Sequence, residues 1–109
     1  MEFHKTKAAI SLKAVVINNK GEVLILKRSD NDYNRPNGLD LVGGGLDENE
    51  DPTEGLIREI SEETGLKVEE IKPIDVISMK ENDGCFVVMI AFQVKAIERL
   101  QKGFYGALP

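Results

Sequence analysis

The pattern of apolar positions divides the first part of the chain into a predicted hairpin and a predicted loop. Residues 8–17 (AAISLKAVVI) are rich in β-branched and small apolar residues, and a turn signal at 18–21 (NNKG) separates them from residues 22–28 (EVLILKR). We therefore predict two strands joined as a β-hairpin. Residues 29–40 (SDNDYNRPNGLD) are crowded with Asn, Asp, Pro and Gly, which predicts a loop and a candidate lining for a ligand pocket.

Local start and stop signals predict a helix from Pro52 to about Thr64. Asp51 is a suitable N-cap, Pro52 fits the first helical position, and Gly65 follows the expected end. At about 100° per residue, the arc predicted to face the core carries Thr53, Leu56, Ile57, Ile60 and Thr64. A separate arc carries Glu59, Glu62 and Glu63. The sequence thus predicts one helix face that packs and another that presents carboxylates.

Two further apolar segments follow the helix. Residues 71–80 (IKPIDVISMK) and 85–96 (CFVVMIAFQVKA) read as strands, and the Asp-Gly pair in the connecting ENDG supports a second hairpin. The second strand is nearly all apolar, so we expect burial on both of its faces. The order of strands, loop, helix and strands predicts the α/β class, of the α+β type, with a mixed β-sheet packed against helices.

Length and charge narrow the possible functions. A chain of 109 residues fits one domain, which we take to span residues 1–109. Its net charge of −5 would repel duplex DNA and anionic membranes, so we expect neither a nucleic acid polymer nor a membrane as partner. A polyphosphate substrate would need a cation as intermediary. No apolar run approaches the roughly 20 residues of a membrane span, and the N-terminus lacks the layout of a secretory signal, so we expect a cytoplasmic protein.

Cys85 is the only cysteine in the sequence. A single cysteine can form neither an internal disulfide nor a zinc site built from several thiolates within one chain. Because Cys85 opens an apolar segment, we expect a small buried core residue rather than a nucleophile. No covalent nucleophile is evident elsewhere.

The acidic arc of the predicted helix is a candidate metal site. Glu59, Glu62 and Glu63 stand at i, i+3 and i+4, close enough for their side chains to converge. Like charges so close together require either raised pKa values or a bound cation, although a merely solvated helix face is the alternative. An all-oxygen donor set favours Mg²⁺ or Mn²⁺ over zinc. Just before the helix, Gly43–Gly45 would let the backbone approach a ligand closely.

These features fall at fixed separations that resemble a known family motif. The Nudix box reads G, five residues, E, seven residues, then R-E-U-x-E-E-x-G-U, where U is aliphatic. Every fixed position is matched, by Gly44, Glu50, Arg58, Glu59, Ile60, Glu62, Glu63, Gly65 and Leu66. The chain is therefore identified as similar to the Nudix (MutT-like) hydrolases, and the resemblance extends over roughly residues 8–95. It implies a Nudix-like mixed sheet in which the loop and helix of the box carry the site.

The resemblance also implies an activity and a set of residues. The activity would be Mg²⁺-assisted attack of water on the pyrophosphate of a nucleoside diphosphate linked to another group X. By position, the metal-binding set would be Glu59, Glu62, Glu63 and the carbonyl of Gly43 or Gly44. The general base varies in the family; Glu59 is the first candidate here, and Glu62 and Glu63 are the alternatives.

Other positions carry supporting roles in this reading. Arg58 is expected to hold a catalytic carboxylate in place by ion pairing, so that the candidate catalytic set is Glu59, Arg58 and Glu62. Glu50 is expected to be an outer contact of the metal site. The candidate phosphate contacts are Arg28, Gly44 and Gly45. For Arg28, a solvated charge at the end of a strand is an equally good interpretation.

The chain also departs from the family pattern. Val42 replaces a common Pro and Asn49 a common Gly, but Asn tolerates a positive φ, so we expect the turn to survive. The part from about 97 to 109 is atypical or shortened, which would expose a sheet edge and favour a homodimer. It also leaves a further metal-binding acid unassigned, with Glu81, Asp83 and Glu98 as candidates.

Three functions follow from these observations. The first is an active hydrolase of a nucleotide-type small molecule. The second is a Nudix domain that binds a nucleotide or a protein partner with little or no turnover. The third is a structural domain with an acidic helix, a reading that the complete box disfavours. The sequence does not select the substrate.

Overall fold

The computed structural model describes residues 7–27, 38–97 and 104–105. These ranges contain one helix, α1 (Pro52–Thr64), and eight strands. The strands are β1 (Ala9–Ile17), β2 (Val23–Leu24), β3 (Leu26–Lys27), β4 (Leu39–Asp40), β5 (Val42–Gly45), β6 (Lys67–Lys80), β7 (Phe86–Ile97) and β8 (Phe104–Tyr105).

Strand β1 lies at the centre of a mixed sheet. Along one edge it pairs with β7 in parallel, from Ala9 opposite Val87 to Ile17 opposite Lys95. Along its other edge it pairs antiparallel with β5 near its start and with β2 at its end. Strand β6 is antiparallel to β7, and β8 is antiparallel to β2, which gives the order β6-β7-β1-β2-β8 with β5 beside β1. The predicted mixed sheet and the second predicted hairpin are confirmed. The first hairpin is confirmed for β1 and β2, but the segment predicted as its second strand, residues 22–28, divides into β2 and β3, and β3 belongs to a separate sheet.

The predicted loop at 29–40 is only partly described. Residues 29–37 lie outside the described ranges, and Leu39–Asp40 form strand β4 instead of loop. Strand β4 pairs with β3 in a separate two-stranded sheet, with Leu26 opposite Asp40. Of the atypical part from 97 to 109, Phe104–Tyr105 add a short strand to the main sheet, and residues 98–103 and 106–109 lie outside the described ranges.

The core lies between α1 and one face of the sheet. Strand β1 contributes alternate residues, as expected of a strand with one face covered. The buried side chains of this cluster include Leu12, Ala14 and Val16 from β1, Phe92, Val94 and Ala96 from β7, and Leu56 and Ile60 from α1. Full burial of a side chain such as Leu56 or Ile60 contributes about 1.5–3 kcal/mol to folding.

Three predictions about burial are wrong. On α1, Thr53 and Ile57 are exposed and Thr64 is half-buried, because the helix covers the sheet with a narrower stripe centred on Leu56 and Ile60. Cys85 is exposed, because it belongs to the turn before β7 rather than to the strand itself. Strand β7 is not buried on both faces either, since its buried positions alternate with half-buried or exposed ones such as Gln93 and Lys95.

Strand β6 forms an edge of the main sheet, and its pairing is irregular between Glu69 and Asp75. Its pairing with β7 shifts register between Glu69 and Lys72 and again between Pro73 and Asp75. Pro73 has no N–H to offer a further strand, and the N–H of Val76 donates to Asp75 Oδ1 at 2.9 Å. These features hinder the addition of another strand at this edge. The structure contains one chain, so the homodimer stays a prediction. No helix within the described ranges is long and apolar enough to cross a membrane.

Candidate functional site

Helix α1 begins at Pro52, separated from the end of the glycine strand β5 by residues 46–51, because its first turn is capped by its own sequence. Asp51 has an extended backbone, and its Oδ2 accepts a hydrogen bond from the Glu54 N–H at 3.1 Å. Pro52 follows at the first helical position. At the other end Gly65 adopts φ 73°, and its N–H donates to the Ser61 carbonyl at 2.9 Å. The predicted helix and both of its caps are confirmed.

Strand β5 brings the glycines against α1. Gly43, Gly44 and Gly45 lie opposite Lys13, Leu12 and Ser11 of β1. A Cβ on Gly43 would overlap the backbone carbonyl oxygen of Leu12, so this position admits no side chain. A Cβ on Gly44 would lie 2.5 Å from Cδ and Oε2 of Glu59. The missing side chain of Gly44 therefore makes the space that the Glu59 carboxylate occupies.

Further contacts tie the glycine strand to the helix. The N–H of Gly43 donates to Oε1 of Glu63 at 3.4 Å, and the carbonyl of Gly45 accepts from Nη2 of Arg58 at 3.3 Å. The structure thus brings Gly43, Gly44 and Gly45 into contact with Glu63, Glu59 and Arg58, which lie within two turns of α1. The sequence analysis placed the same groups together.

Arg58 is the hub of the acidic cluster. Its Nε and Nη2 donate to the two oxygens of Glu50 at 2.7 and 2.9 Å, which is a bidentate pair. Its Nη1 donates to Oε1 of Glu59 at 3.1 Å and to Oε1 of Glu62 at 2.7 Å. Asp47 lies 3.5 Å from Nη2. Arg58, which was predicted to hold one catalytic carboxylate, therefore contacts four carboxylates.

The turn between β5 and α1 presents Glu50 to this guanidinium. The N–H of Asp47 donates to Oε1 of Glu50 at 3.0 Å, and the N–H of Glu50 donates to the Asp47 carbonyl at 3.2 Å. Asn49 adopts φ 61° between them, so Asn replaces the common family Gly without loss of the turn, as expected. Glu50 contacts Arg58 and the turn.

The ion pair changes the titration of both partners. Hydrogen bonds from Arg58, and then from the Asp47 N–H, lower the pKa of Glu50 from 4.5 to about 2. The pKa of Arg58 is raised above its ordinary value, chiefly by its hydrogen bond to Glu50 and further by those to Glu62 and Glu59. Both groups stay charged across the physiological range.

The two carboxylates that share Nη1 differ in exposure. The Glu59 side chain is 16% exposed and the Glu62 side chain 58%. In this arrangement, the described residues contain no group of three Asp, Glu, His or Cys side chains placed around a common cation position. Glu59 and Glu62 both accept from Nη1 of Arg58, which supplies a counter-charge to each of them.

The donor set nevertheless fits Mg²⁺ or Mn²⁺. Glu59, Glu62 and Glu63 are carboxylates whose contacts are to Arg58 and to the Gly43 N–H, and oxygen donors are what these ions prefer. Gly44 leaves room for the Glu59 carboxylate against the backbone, as a site with backbone carbonyl ligands requires. Arg28 and Glu98 lie outside the described ranges. Glu81 and Asp83 lie in the exposed β6–β7 turn, where Asp83 Oδ1 accepts from the Cys85 N–H at 2.9 Å.

An ion pair between Lys13 and Asp40, beside the glycine strand, was not predicted from the sequence. Nζ of Lys13 donates to Oδ2 of Asp40 at 3.0 Å, which joins β1 to the segment that enters β5. The two residues are 27 positions apart, and neither belongs to the box. The only available signal was that Lys13 places a charge in a strand whose other residues are apolar except for Ser11.

Comparison with known proteins agrees with this geometry. A NUDIX domain family model matches residues 7–101. A MutT-like protein of Streptomyces ambofaciens is 38% identical over 61 residues, which cover 56% of this chain and 36% of the length of that relative.

Solved structures give the same fold. A NUDIX hydrolase from Nitrosomonas europaea superimposes with a TM-score of 0.71 at 17% identity, covering 90% of this chain and 68% of the other. The MutT protein from Methanosarcina mazei Go1 gives a TM-score of 0.64 at 29% identity, covering 95% and 77%. Identity as low as 17% supports the fold alone, whereas the family model spans most of the chain together with the complete box. The chain therefore belongs to the NUDIX domain family.

Proposed function

We propose that this chain hydrolyses the pyrophosphate bond of a nucleoside diphosphate linked to another group X, in a reaction that depends on Mg²⁺ or Mn²⁺. The observation that carries the proposal is the position of Glu59, whose carboxylate lies against Gly44 and is held by Arg58. A carboxylate in that position lies between the backbone of the glycine strand and the neighbouring acids of α1. Membership of the NUDIX family supplies the reaction class.

The cation would be held by Glu59, Glu62 and Glu63 with the carbonyl of Gly43 or Gly44. When bound, it would neutralise phosphate charge and lower the pKa of a coordinated water. The protein's own net charge of −5 makes such neutralisation necessary for an anionic substrate. Gly44 and Gly45 are proposed phosphate contacts through their backbone. Arg28 is proposed as a further phosphate contact.

Glu59 is the proposed general base. It is the less exposed of the two carboxylates on Nη1 of Arg58, and one of its oxygens is already fixed by that guanidinium. A fixed carboxylate can accept a proton from an attacking water in a defined direction. Glu62 and Glu63 are the alternative bases.

Arg58 and Glu50 act on the reaction through Glu59. The bidentate contact with Glu50 fixes the plane of the guanidinium, and this plane sets where Nη1 meets Glu59. Phosphoryl transfer is accelerated mainly by positioning and charge neutralisation, so a supporting pair of this kind affects the rate without touching the substrate. No covalent nucleophile is needed.

A second candidate function is nucleotide binding with little or no turnover. The observation that favours it is the neutralisation of Glu59 and Glu62 by Arg58, which competes with a cation for the same carboxylates.

The proposal includes three further expectations. The protein acts in the cytoplasm, its substrate is a nucleotide-type small molecule, and it assembles as a homodimer.

Release of phosphate or nucleoside monophosphate from a panel of nucleoside diphosphate compounds tests the proposal. The assay compares Mg²⁺, Mn²⁺ and EDTA for the wild type, Glu59→Gln and Glu62→Gln. Glu69→Gln is the matched control, because Glu69 is an exposed carboxylate on β6 outside the acidic cluster. Turnover that needs the metal and is lost in the two cluster variants supports hydrolysis. Tight nucleotide binding without turnover supports the second function.

A further inference from the structure

A half-buried ion pair lies beside the glycine strand on the sheet face opposite α1. Leu12 and Ala14 point into the core under α1, so Lys13 between them points to the other face. There its Nζ meets Oδ2 of Asp40 at 3.0 Å, with side chains 23% and 18% exposed. A charge in this position needs a partner, since partial burial weakens its hydration.

Strand β5 is weak on its own. It has four residues, three of which are Gly, and within the described ranges its strand pairing is with β1. Glycine has the largest conformational entropy to lose and no side chain with which to pack against neighbours. The same strand must nevertheless hold Gly43, Gly44 and Gly45 at contact distance from Glu63, Glu59 and Arg58.

The Asp40 carboxylate joins the entry of β5 to the strand that carries it. Oδ2 accepts from Lys13, and Oδ1 accepts from the N–H of Leu41 at 2.8 Å, the residue directly before β5. Lys13 itself lies opposite Gly43 in the β1–β5 register. The Asp40 carboxylate therefore links the backbone at Leu41, which leads into β5, to Lys13, which lies opposite Gly43.

We propose that Lys13 and Asp40 are positioning residues that lock β5 onto β1 and so hold the glycines against the carboxylates of α1. They act through Gly44, because any shift of β5 moves the backbone that bounds the Glu59 carboxylate. The expected effect on the reaction rate rests on the proposed hydrolase function. The expected effect on the stability of the β1–β5 pairing is independent of that function.

A second lysine on the same sheet face provides the control. Lys95 of β7 lies 3.9 Å from Glu70, and these side chains are 45% and 71% exposed. Exposed pairs at such distances contribute little. Lys95→Met therefore removes a comparable charge from the same face while leaving β5 untouched.

Hydrogen exchange of residues 42–46 measures the lock directly. The variants are Lys13→Met, Asp40→Asn, Lys13→Arg and Lys95→Met; Asp40→Asn retains an oxygen for the Leu41 N–H and so removes mainly the ion pair. We expect exchange across 42–46 to rise about tenfold, a shift of about 1.4 kcal/mol in local opening, in Lys13→Met and Asp40→Asn. Protection of β7 should stay as in the wild type, and Lys13→Arg and Lys95→Met should behave like the wild type.

Kinetics on a substrate of the wild type provide the second readout. Because a shift of β5 would displace both the proposed base and the proposed phosphate contacts, kcat/KM should fall on the order of tenfold to a hundredfold in Lys13→Met. Lys13→Arg should restore most of kcat/KM. Unchanged exchange at 42–46 in both Lys13→Met and Asp40→Asn would overturn the proposal, as would an equal effect of Lys95→Met. If the wild type has no turnover, the proposed hydrolase fails and the exchange data alone decide on the lock.

Discussion

The Glu59 carboxylate occupies the space that a side chain on Gly44 would need, with Cδ only 2.5 Å from the ideal Cβ position. The helix side chain and the strand backbone are therefore fitted to each other, although they come from elements that meet only in the folded protein. The fit makes Gly44 a residue whose substitution acts on Glu59 first.

Gly44→Ala should impair the site while preserving the fold. The added methyl group meets the far end of a flexible side chain, so Glu59 can move aside without disturbing the backbone. We expect kcat to fall on the order of a hundredfold, because the displaced carboxylate is the proposed base. The thermal midpoint should change little. Combining Gly44→Ala with Glu59→Ala tests the mechanism: the two changes should be strongly non-additive in kcat, and additive effects would contradict a shared cause.

Gly43→Ala should instead damage the fold. Its methyl group would overlap the Leu12 carbonyl, a backbone atom of the central strand that cannot rotate away. Overpacking of this kind costs about 1–3 kcal/mol, so the urea midpoint should fall well below that of Gly44→Ala. Equal stability of the two alanine variants would show that β5 is not seated on β1 as described.

The helix and its caps could be predicted because their signals are local. Asp51, Pro52 and Gly65 act within one turn of their own positions, and the structure places the helix ends where these residues put them. The mixed sheet could also be predicted, since apolar strands flank one helix. The candidate site residues came from the resemblance to the Nudix box, which assigns each of them by its position in the motif.

The ion pair of Arg58 with a catalytic carboxylate could be predicted, but its contacts with Glu50 and Asp47 could not, because they depend on how the turn at 47–50 folds back. The exposure of Ile57 was not predicted, because periodicity shows which residues are apolar but not how far α1 extends over the sheet. The exposure of Cys85 was not predicted, because the apolar pattern does not show that β7 begins one residue later. The Lys13–Asp40 contact joins residues 27 positions apart through strand pairing, and no local pattern encodes it.

Arg58→Lys should lose most of the activity despite keeping the charge. Lysine cannot form the bidentate contact with Glu50 and at the same time reach Glu59 and Glu62 from a second planar nitrogen. We expect kcat to fall on the order of tenfold to a hundredfold. Arg58→Met should be worse in stability, since it leaves the clustered carboxylates without a counter-charge. That destabilisation should lessen with added NaCl, which screens the repulsion. A salt-independent loss would point to packing instead.

Acid should remove the stabilisation that Glu50 provides. Arg58 holds the pKa of Glu50 at about 2, below its ordinary 4.5, so the folded state favours the charged form. The contribution is fully present above about pH 4.5 and is lost as the pH falls towards 2. The difference in unfolding free energy between the wild type and Glu50→Gln should thus be constant from pH 7 to 5 and shrink below 4.5. Urea titrations across this range measure it, with Glu69→Gln as the control. If the difference in unfolding free energy instead grew on acidification, Arg58 would not be lowering the pKa of Glu50 in the folded state.

Mg²⁺ should stabilise the wild type and should do so through the helix carboxylates. A ligand that binds only the folded state at about one hundred times its Kd adds about 2.7 kcal/mol, which corresponds to a rise of several degrees in the thermal midpoint. Glu59→Gln and Glu62→Gln reduce repulsion in the cluster and can raise the midpoint without metal, so the metal-induced shift is the quantity to compare. That shift should disappear in both cluster variants and persist in Glu69→Gln. Equal shifts in all four proteins would place the bound ion elsewhere and remove the metal from the proposed site.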